Sequence, residues 1–239
     1  VGMGQEFAED AKAFELCDVI VTVGGDGTIL HAARQSLGYN KPLLGINIGR
    51  MGFLATVEAY EMEKLERLVH GEYILDRRSI LSVSVDGQNR FRQTALNDVV
   101  ISKSGISQTV DVEIFCDDIL VNHYQGDGVV IATPTGSTAY SLSAGGPVLD
   151  AAADVVVLTP VCAHNAQVAP LVFAAGRRLE LVADAENRDT CYACADSTAQ
   201  CDLQPGDVLT VTAAPQKLQL ITFYDSEQFH AIENKLMRS

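Results

Sequence analysis

Basic residues are scarce. The 239 residues carry 17 Lys and Arg against 31 Asp and Glu, a formal net charge of −14. A broad nucleic-acid face needs a basic surface, so that class of partner is excluded. Any anionic substrate must then be met by backbone amides, a few cations or a metal ion. Long apolar runs are missing as well. No stretch reaches membrane-span length and no basic-then-apolar leader opens the chain, so a soluble, cytoplasmic protein is the expectation. There is no internal repeat and no low-complexity tract. Charged residues are held to 20% while hydrophobic ones reach 47%, which excludes a disordered chain and supports a substantial core in one large or two small domains. The six cysteines carry no mark of secretion, so disulfides are not expected. Cys191 and Cys194 form a CxxC, but the alternating segment around them sends the two to opposite faces of a strand. No fourth ligand stands at a usual zinc spacing, so packed free thiols are the reading.

What is present centres on residues 19–37, VIVTVGGDGTILHAARQSL. The β-branched run 19–23 predicts a buried strand. Gly24, Gly25 and Gly27 predict a turn that ordinary side chains would obstruct. Thr28 is the expected N-cap of a helix through Ile29, Leu30, Ala33 and Leu37. Strand, glycine turn and helix N-terminus converge free amides on an anion site, with Gly24, Gly25 and Thr28 as the phosphate-binding candidates. Asp26 is out of place in a plain phosphate cradle, because its carboxylate repels the ligand. Two roles remain open for it: holding a metal that meets phosphate, or taking a proton from an attacking hydroxyl.

Around this stretch the pattern is first α/β and then β-rich. Helical spacing over 2–16 precedes the strand, and a second apolar strand over 43–48 completes a βαβ unit with parallel pairing. The loop NIGRMGFL at 47–54 follows it, so both glycine loops fall at the carboxyl edge of neighbouring strands. A further helix is expected over 60–70. The fold class is thus a Rossmann-like parallel sheet, apparently lacking its first strand, followed by a β-rich domain of layered sheets. The expected boundaries are 1–74 for the α/β domain, with a C-terminal helix over 226–239 as its candidate completion, and 75–225 for the β-rich domain. Within the latter, hairpins are expected around Asp86-Gly87 and Asp117-Asp118, with one strand over 91–102.

Three more stretches carry chemistry. Asn97 and Asp98 interrupt an apolar strand; a strand-edge turn is the commoner meaning of such a pair, and the two also suit ribose hydroxyls, since a carboxylate accepts O–H bonds and an amide donates or accepts. Asp127, between Gly126 and Gly128, can meet a carboxamide or hydroxyl, although a tight turn is the commoner use of that tripeptide. Residues 133–147, TPTGSTAYSLSAGGP, hold only Leu142 as a clearly apolar side chain. Ser137 or Thr138 is the expected cap of a short helix there, and Tyr140 offers a face for a heterocycle.

In this order and spacing, GGDGT at 24–28, NIGRMGFL at 47–54, LND at 96–98 and GDGVVIATPTGSTAYSLSAGGP at 126–147 resemble the NAD kinase family. The resemblance implies a nucleotide-binding α/β domain and an NAD-binding β-rich domain with the active site between them. It implies phosphoryl transfer from ATP or polyphosphate to the 2′-hydroxyl of the adenosine ribose of NAD, with a divalent metal such as Mg2+, in a homodimer or homotetramer. Carried over by position, Asp26 is the general base, Gly27 lies against the dinucleotide and Phe53 packs near the adenine. Asn97 and Asp98 hold ribose hydroxyls, and Asp127 sits by the nicotinamide end. Thr138, Ala139, Tyr140 and Ser143 line the dinucleotide pocket. No metal ligand is assigned. Ala163, Ala169 and Ser197 depart from the pattern, where Pro, Arg and Gly are usual; His164 is kept, and is read as a structural histidine. A lipid kinase of the diacylglycerol-kinase type shares only the GGDGT and expects an apolar membrane-facing patch. A non-catalytic NAD(P)-binding sensor has no need of Asp26.

Overall fold

The structure, a computed structural model, describes residues 11–49, 52–86, 91–105, 109–164, 169–183, 191–225 and 227–236. The expected helix over 2–16 is seen from residue 11 on; residues 2–10, Arg50, Met51 and Gly87 lie outside the described residues. The chain forms two compact units, residues 1–78 with 217–239, and residues 79–216.

The first unit begins with α1 (Ala11–Leu16), β1 (Ile20–Gly24), α2 (Asp26–Leu37), β2 (Leu43–Asn47), β3 (Val57–Glu58), α3 (Lys64–Val69) and β4 (Ile74–Arg78). β1 and β2 pair in parallel over five residues, from Ile20 opposite Leu43 to Gly24 opposite Asn47. This is the expected βαβ unit, and it holds because α2 buries Ile29, Ala32, Ala33 and Ser36. A fully buried Ile such as Ile29 contributes about 1.5–3 kcal/mol over an exposed one. All five residues of β2 are buried, as a central parallel strand requires. The helix expected over 60–70 is confined to the six residues of α3.

The second unit holds β5 (Leu81–Asp86), β6 (Phe91–Ala95), β7 (Asp98–Lys103), β8 (Val110–Cys116), β9 (Ile119–Gly126), β10 (Gly128–Ala132), α4 (Tyr140–Ser143), β11 (Val155–Val161), β12 (Leu171–Ala174), β13 (Leu179–Ala183), β14 (Cys191–Ala195), β15 (Ala199–Leu203) and β16 (Val208–Ala213). They make two antiparallel six-stranded sheets, in the orders β6-β5-β16-β13-β8-β9 and β12-β11-β10-β7-β14-β15. Alternation puts Val83, Val112, Ile114, Leu181 and Leu209 of one sheet against Val99, Ile101, Ile131, Leu158 and Ala193 of the other in a single core. The Asp117-Asp118 hairpin forms as expected, with both residues left-handed at φ 50° and 69°. The single strand expected over 91–102 is instead two. β6 ends at Ala95 in one sheet and β7 starts at Asp98 in the other, so Leu96 and Asn97 form a crossing turn. Cys191 is buried and Cys194 half-buried on opposite faces of β14, and all six cysteines are free thiols.

The chain then returns to the first sheet through β17 (Leu218–Thr222) and α5 (Glu227–Leu236). β17 pairs with β2 in parallel and with β4 antiparallel. Residues 74–78 and 218–222, which read as members of the β-rich series, therefore belong to the first sheet, and that sheet is mixed at its β4 edge. No helix among the described residues is long and apolar enough to cross a membrane.

Candidate functional site

In the first unit the chemistry gathers where β1 and β2 end. The α2 helix starts earlier than Thr28 suggested. Gly25 is its N-cap, without a side-chain cap bond, and Asp26 is its first residue. Thr28 is therefore no cap; it is exposed, and its side chain fills the space beside Gly24. Of the three glycines, only Gly24 is demanded by packing, since a Cβ there would overlap Thr28. A Cβ on Gly25 or Gly27 would meet nothing within 4 Å, which corrects the expectation that side chains are barred at all three.

Asp26 is held by the second glycine loop. Its Oδ2 accepts the Phe53 N–H at 2.8 Å and its Oδ1 accepts the Leu54 N–H at 3.2 Å. Gly52 makes this approach possible, because a Cβ there would fall on the carboxylate. The loop is anchored at its start by Asn47, whose Nδ2 donates to both Glu58 oxygens at 3.2 and 3.0 Å and whose Oδ1 accepts the Gly49 N–H at 3.1 Å. The helix N-terminus adds a favourable field for the anion. A carboxylate offers about four acceptor positions and these contacts use two. The half-buried Asp26 thus retains acceptor capacity beside Gly25 and Gly27, where there is open space.

In the second unit the hydroxyl-rich loop folds over the outer face of β7, β10 and β11. There Ala144 and Leu149 pack on Val100, Val130, Ala132, Val157 and Val161. It contains a 3-10 turn, Gly136–Thr138, and then α4. Neither Ser137 nor Thr138 caps a helix by its side chain. Ser137 Oγ donates to Pro134 O at 2.7 Å and accepts the Leu149 N–H at 2.9 Å; Thr138 Oγ1 donates to Thr135 O at 3.1 Å. Ala139 lies half-buried between turn and helix, and Ser143 is exposed at the end of α4.

The Leu96-Asn97 crossing turn is gripped from two sides. Thr133 Oγ1 donates to Leu96 O at 2.5 Å and the Thr133 N–H donates to Asn97 O at 2.9 Å. Asp196, from the turn between β14 and β15, accepts the N–H groups of Leu96, Asn97 and Asp98 at 2.8, 2.8 and 3.2 Å. A Cβ on Gly136 would collide with the Asn97 backbone, so this glycine is needed for close approach. The Asn97 side chain is half-buried, while Asp98 is buried. Burial first, and then the charge of Asp196, push the Asp98 carboxyl up to about 7; the Tyr140 backbone N–H pulls the other way. Tyr140 is 43% exposed, and its phenol is pushed up by desolvation and by Tyr192, Cys162, Asp127 and Asp98 around it. Asp127 is ion-paired, to Lys103 at 2.5 Å.

The expected residues are thus brought into two local sets. Asp26 meets Phe53 through its backbone beside Gly24, Gly25, Gly27 and Thr28. Asn97, Asp98 and Tyr140 stand together, with Asp127 among the charges acting on Tyr140. Lys103, Tyr192 and Asp196 were not singled out, and Thr133 stood in the 133–147 stretch without a role of its own. The local signals for them were slight: a cation ending an apolar strand for Lys103, and an Asp-Ser turn between alternating strands for Asp196. Among the described residues no group of three or more His, Cys, Asp or Glu could hold a metal ion.

The first unit thus carries a glycine-turn carboxylate on a parallel sheet, and the second a clamped crossing turn with a half-buried Asn97 and a buried Asp98. The ATP-NAD kinase N-terminal domain model matches residues 6–73 and the ATP-NAD kinase C-terminal domain model residues 96–223. NAD kinase of Ruminiclostridium cellulolyticum is 34% identical over 223 residues, 92% of this chain and 78% of that protein. NAD kinase of Marinobacter nauticus is 36% identical over 238 residues, 98% of this chain and 81% of that protein. Among solved structures, yeast NADH kinase complexed with NADH superposes with TM-score 0.84 at 26% identity; 92% of this chain aligns, and it spans 66% of the yeast chain. An NAD kinase from Archaeoglobus fulgidus in complex with ATP gives 0.79 at 28% identity, over 94% of this chain and 85% of that one. The chain belongs to the NAD kinase family.

Proposed function

We propose that this protein transfers the γ-phosphoryl group of ATP to the 2′-hydroxyl of the adenosine ribose of NAD, giving NADP and ADP. The observation that carries the reading is the placement of Asp26: a carboxylate at a helix N-terminus, held by the amides of Phe53 and Leu54, with acceptor capacity left over. Asp26 accepts the 2′-hydroxyl proton as that oxygen bonds to the γ-phosphorus and the bond to ADP breaks. A positioned base of this kind contributes about 10²–10⁴ in rate. The open space at Gly25 and Gly27 suits phosphate oxygens reaching the first amides of α2. Phe53 packs by the adenine. In the second unit Asn97 and Asp98 hold ribose hydroxyls, Asp127 serves the nicotinamide end, and Thr138, Ala139, Tyr140 and Ser143 line the dinucleotide pocket.

The donor set is compatible with Mg2+, which is commonly held by one or two carboxylates plus substrate phosphates rather than by an all-protein cage. Asp26 is kept for the 2′-hydroxyl proton, so the ion would be held chiefly by the ATP phosphates, whose charge it would neutralise. ATP is favoured over polyphosphate by the ATP complex of the Archaeoglobus relative. A cytoplasmic homodimer or homotetramer belongs to the same reading.

NADP formation from NAD, ATP and Mg2+ tests it, with Asp26→Asn alongside. The parent makes NADP, and the variant stays folded while kcat drops by about 10²–10⁴. No NADP from the parent with any donor overturns the kinase; full activity in the variant overturns the base.

A further inference from the structure

The crossing turn at Leu96 and Asn97 has a supply problem. It leaves one sheet and enters the other, so the N–H groups there have no strand partner, and an orphaned buried amide is costly. All three amides from Leu96 to Asp98 are satisfied by one side chain about a hundred residues away, Asp196, and the Asp196 N–H returns a bond to Asp98 O at 2.9 Å. We propose that Asp196 is a positioning residue for NAD: from the β14–β15 turn it sets the backbone of Leu96, Asn97 and Asp98, and with it the aim of the two side chains that meet the ribose. The inference rests on the NAD kinase reading above.

Three observations carry it beyond simple capping. Asp196 is 6% exposed and left-handed at φ 47°, followed by Ser197 at φ 57°, so the hairpin accepts an unfavourable backbone to turn this carboxylate inward. The carbonyls of Leu96 and Asn97 are already held by Thr133, so with the amides on Asp196 the turn has no loose backbone group, and the Asn97 side chain projects from a clamped base. Finally, the anion is set close to a second buried carboxyl, Asp98, which a neutral cap would avoid. Its charge keeps Asp98 in the protonated form further up the pH scale, able to donate to a ribose oxygen. The groups facing Asp98 are Asp196 from the β14–β15 turn and the Tyr140 N–H from α4, with the Tyr140 phenol electrostatically linked and Tyr192, Cys162 and Asp127 around it.

The test is Asp196→Asn in the full chain, with steady-state kinetics in NAD and in ATP. An amide keeps one acceptor but turns a donor toward the Leu96 N–H. KM for NAD rises about ten-fold, the worth of one hydrogen bond to a charged group. kcat and KM for ATP stay within about three-fold, and the step in the pH profile of KM for NAD, near pH 7 in the parent, moves to lower pH. An unchanged KM for NAD overturns the proposal. So does a parallel loss in kcat and both KM values with a lowered Tm and an unmoved pH step, the signature of a merely structural residue. Should the variant not fold, amide exchange in the parent decides: exchange at Leu96, Asn97 and Asp98 must slow on adding NAD, and no change overturns the proposal. NADP formation by the parent, and the effect of Asn97→Ala on KM for NAD, report on the kinase reading and the ribose assignment separately.

Discussion

Gly52→Ala isolates the contact on which the proposed chemistry depends. An added Cβ would occupy the position of the Asp26 carboxylate, so either that side chain swings out or the second glycine loop shifts. Both movements lengthen the bonds from the Phe53 and Leu54 amides, now 2.8 and 3.2 Å. A hydrogen bond to a charged group is worth about 1.5–3 kcal/mol. Losing one or both costs roughly 2–5 kcal/mol, less what water recovers at this half-buried position. At about 2–4 °C per kcal/mol for a chain of this size, Tm falls by roughly 4–20 °C. The larger effect is kinetic. A base moved by an ångström loses most of its advantage, so kcat falls by about 10²-fold or more while the protein remains folded at 25 °C. The assay is NADP formation with melting curves on the same preparations, and Gly25→Ala is the comparison. A Cβ on Gly25 meets no protein atom within 4 Å, so its Tm stays within about 2 °C of the parent, and any activity it loses reports ligand space alone. If Gly52→Ala loses stability but keeps its kcat, the link from glycine loop to Asp26 to catalysis is refuted.

Other consequences are direct. Ser197→Gly relieves a left-handed residue at φ 57° and stabilises the protein by about 1 kcal/mol in urea titration; a destabilised variant would show that the serine side chain compensates the strain. Asp98 titrates near 7 when folded and near 3.9 when unfolded, so the native state binds the extra proton between those values. Its contribution is full below about pH 4 and is lost as pH rises through 7. The rise of about three pH units is worth up to roughly 4 kcal/mol, and Asp98→Asn flattens the pH dependence of stability; an unaltered slope between pH 5 and 8 contradicts the buried-carboxyl assignment. Burial pushes the Cys191 thiol up to about 11, whereas Cys162 is exposed, so iodoacetamide at pH 8 labels Cys162 early and Cys191 last by peptide mass mapping.

The sequence was most legible where a single period decides. Alternation located the Asp117-Asp118 hairpin, and the apolar runs around the GGDGT located the β1-α2-β2 unit. It was least legible where a long-range partner overrides a local preference. Thr28 has the chemistry of a cap, yet α2 begins at Asp26, whose side chain is claimed by amides 27 and 28 residues on. Over 91–102 the polar pair Asn97-Asp98 marks an interruption, but not that the chain changes sheets there, which the bonds from Asp196 and Thr133 stabilise. β17 alternates like the strands before it and could sit in any sheet; its pairing with β2 and β4 places it in the first. The motif stretches stand out by composition and order, while Lys103 and Asp196, which bond to them from elsewhere in the chain, carry no spacing signal.

Asp26 and Asp196 perform the same local act in different units, each tying down the backbone of a loop remote in sequence. Their surroundings separate what they can do beyond it. Asp196 is buried and spends three acceptor positions on consecutive amides, so it has little left with which to meet a reacting group. Asp26 spends two, is half-buried, and stands at a helix N-terminus beside space that Gly25 and Gly27 leave empty. A carboxylate anchored through part of its acceptors is aimed without being used up, and that combination suits a base. One anchored through nearly all of them suits a support. The same residue type thus divides into a group fitted to take a proton and a group fitted to aim its neighbours, and the division follows from counting acceptors against burial.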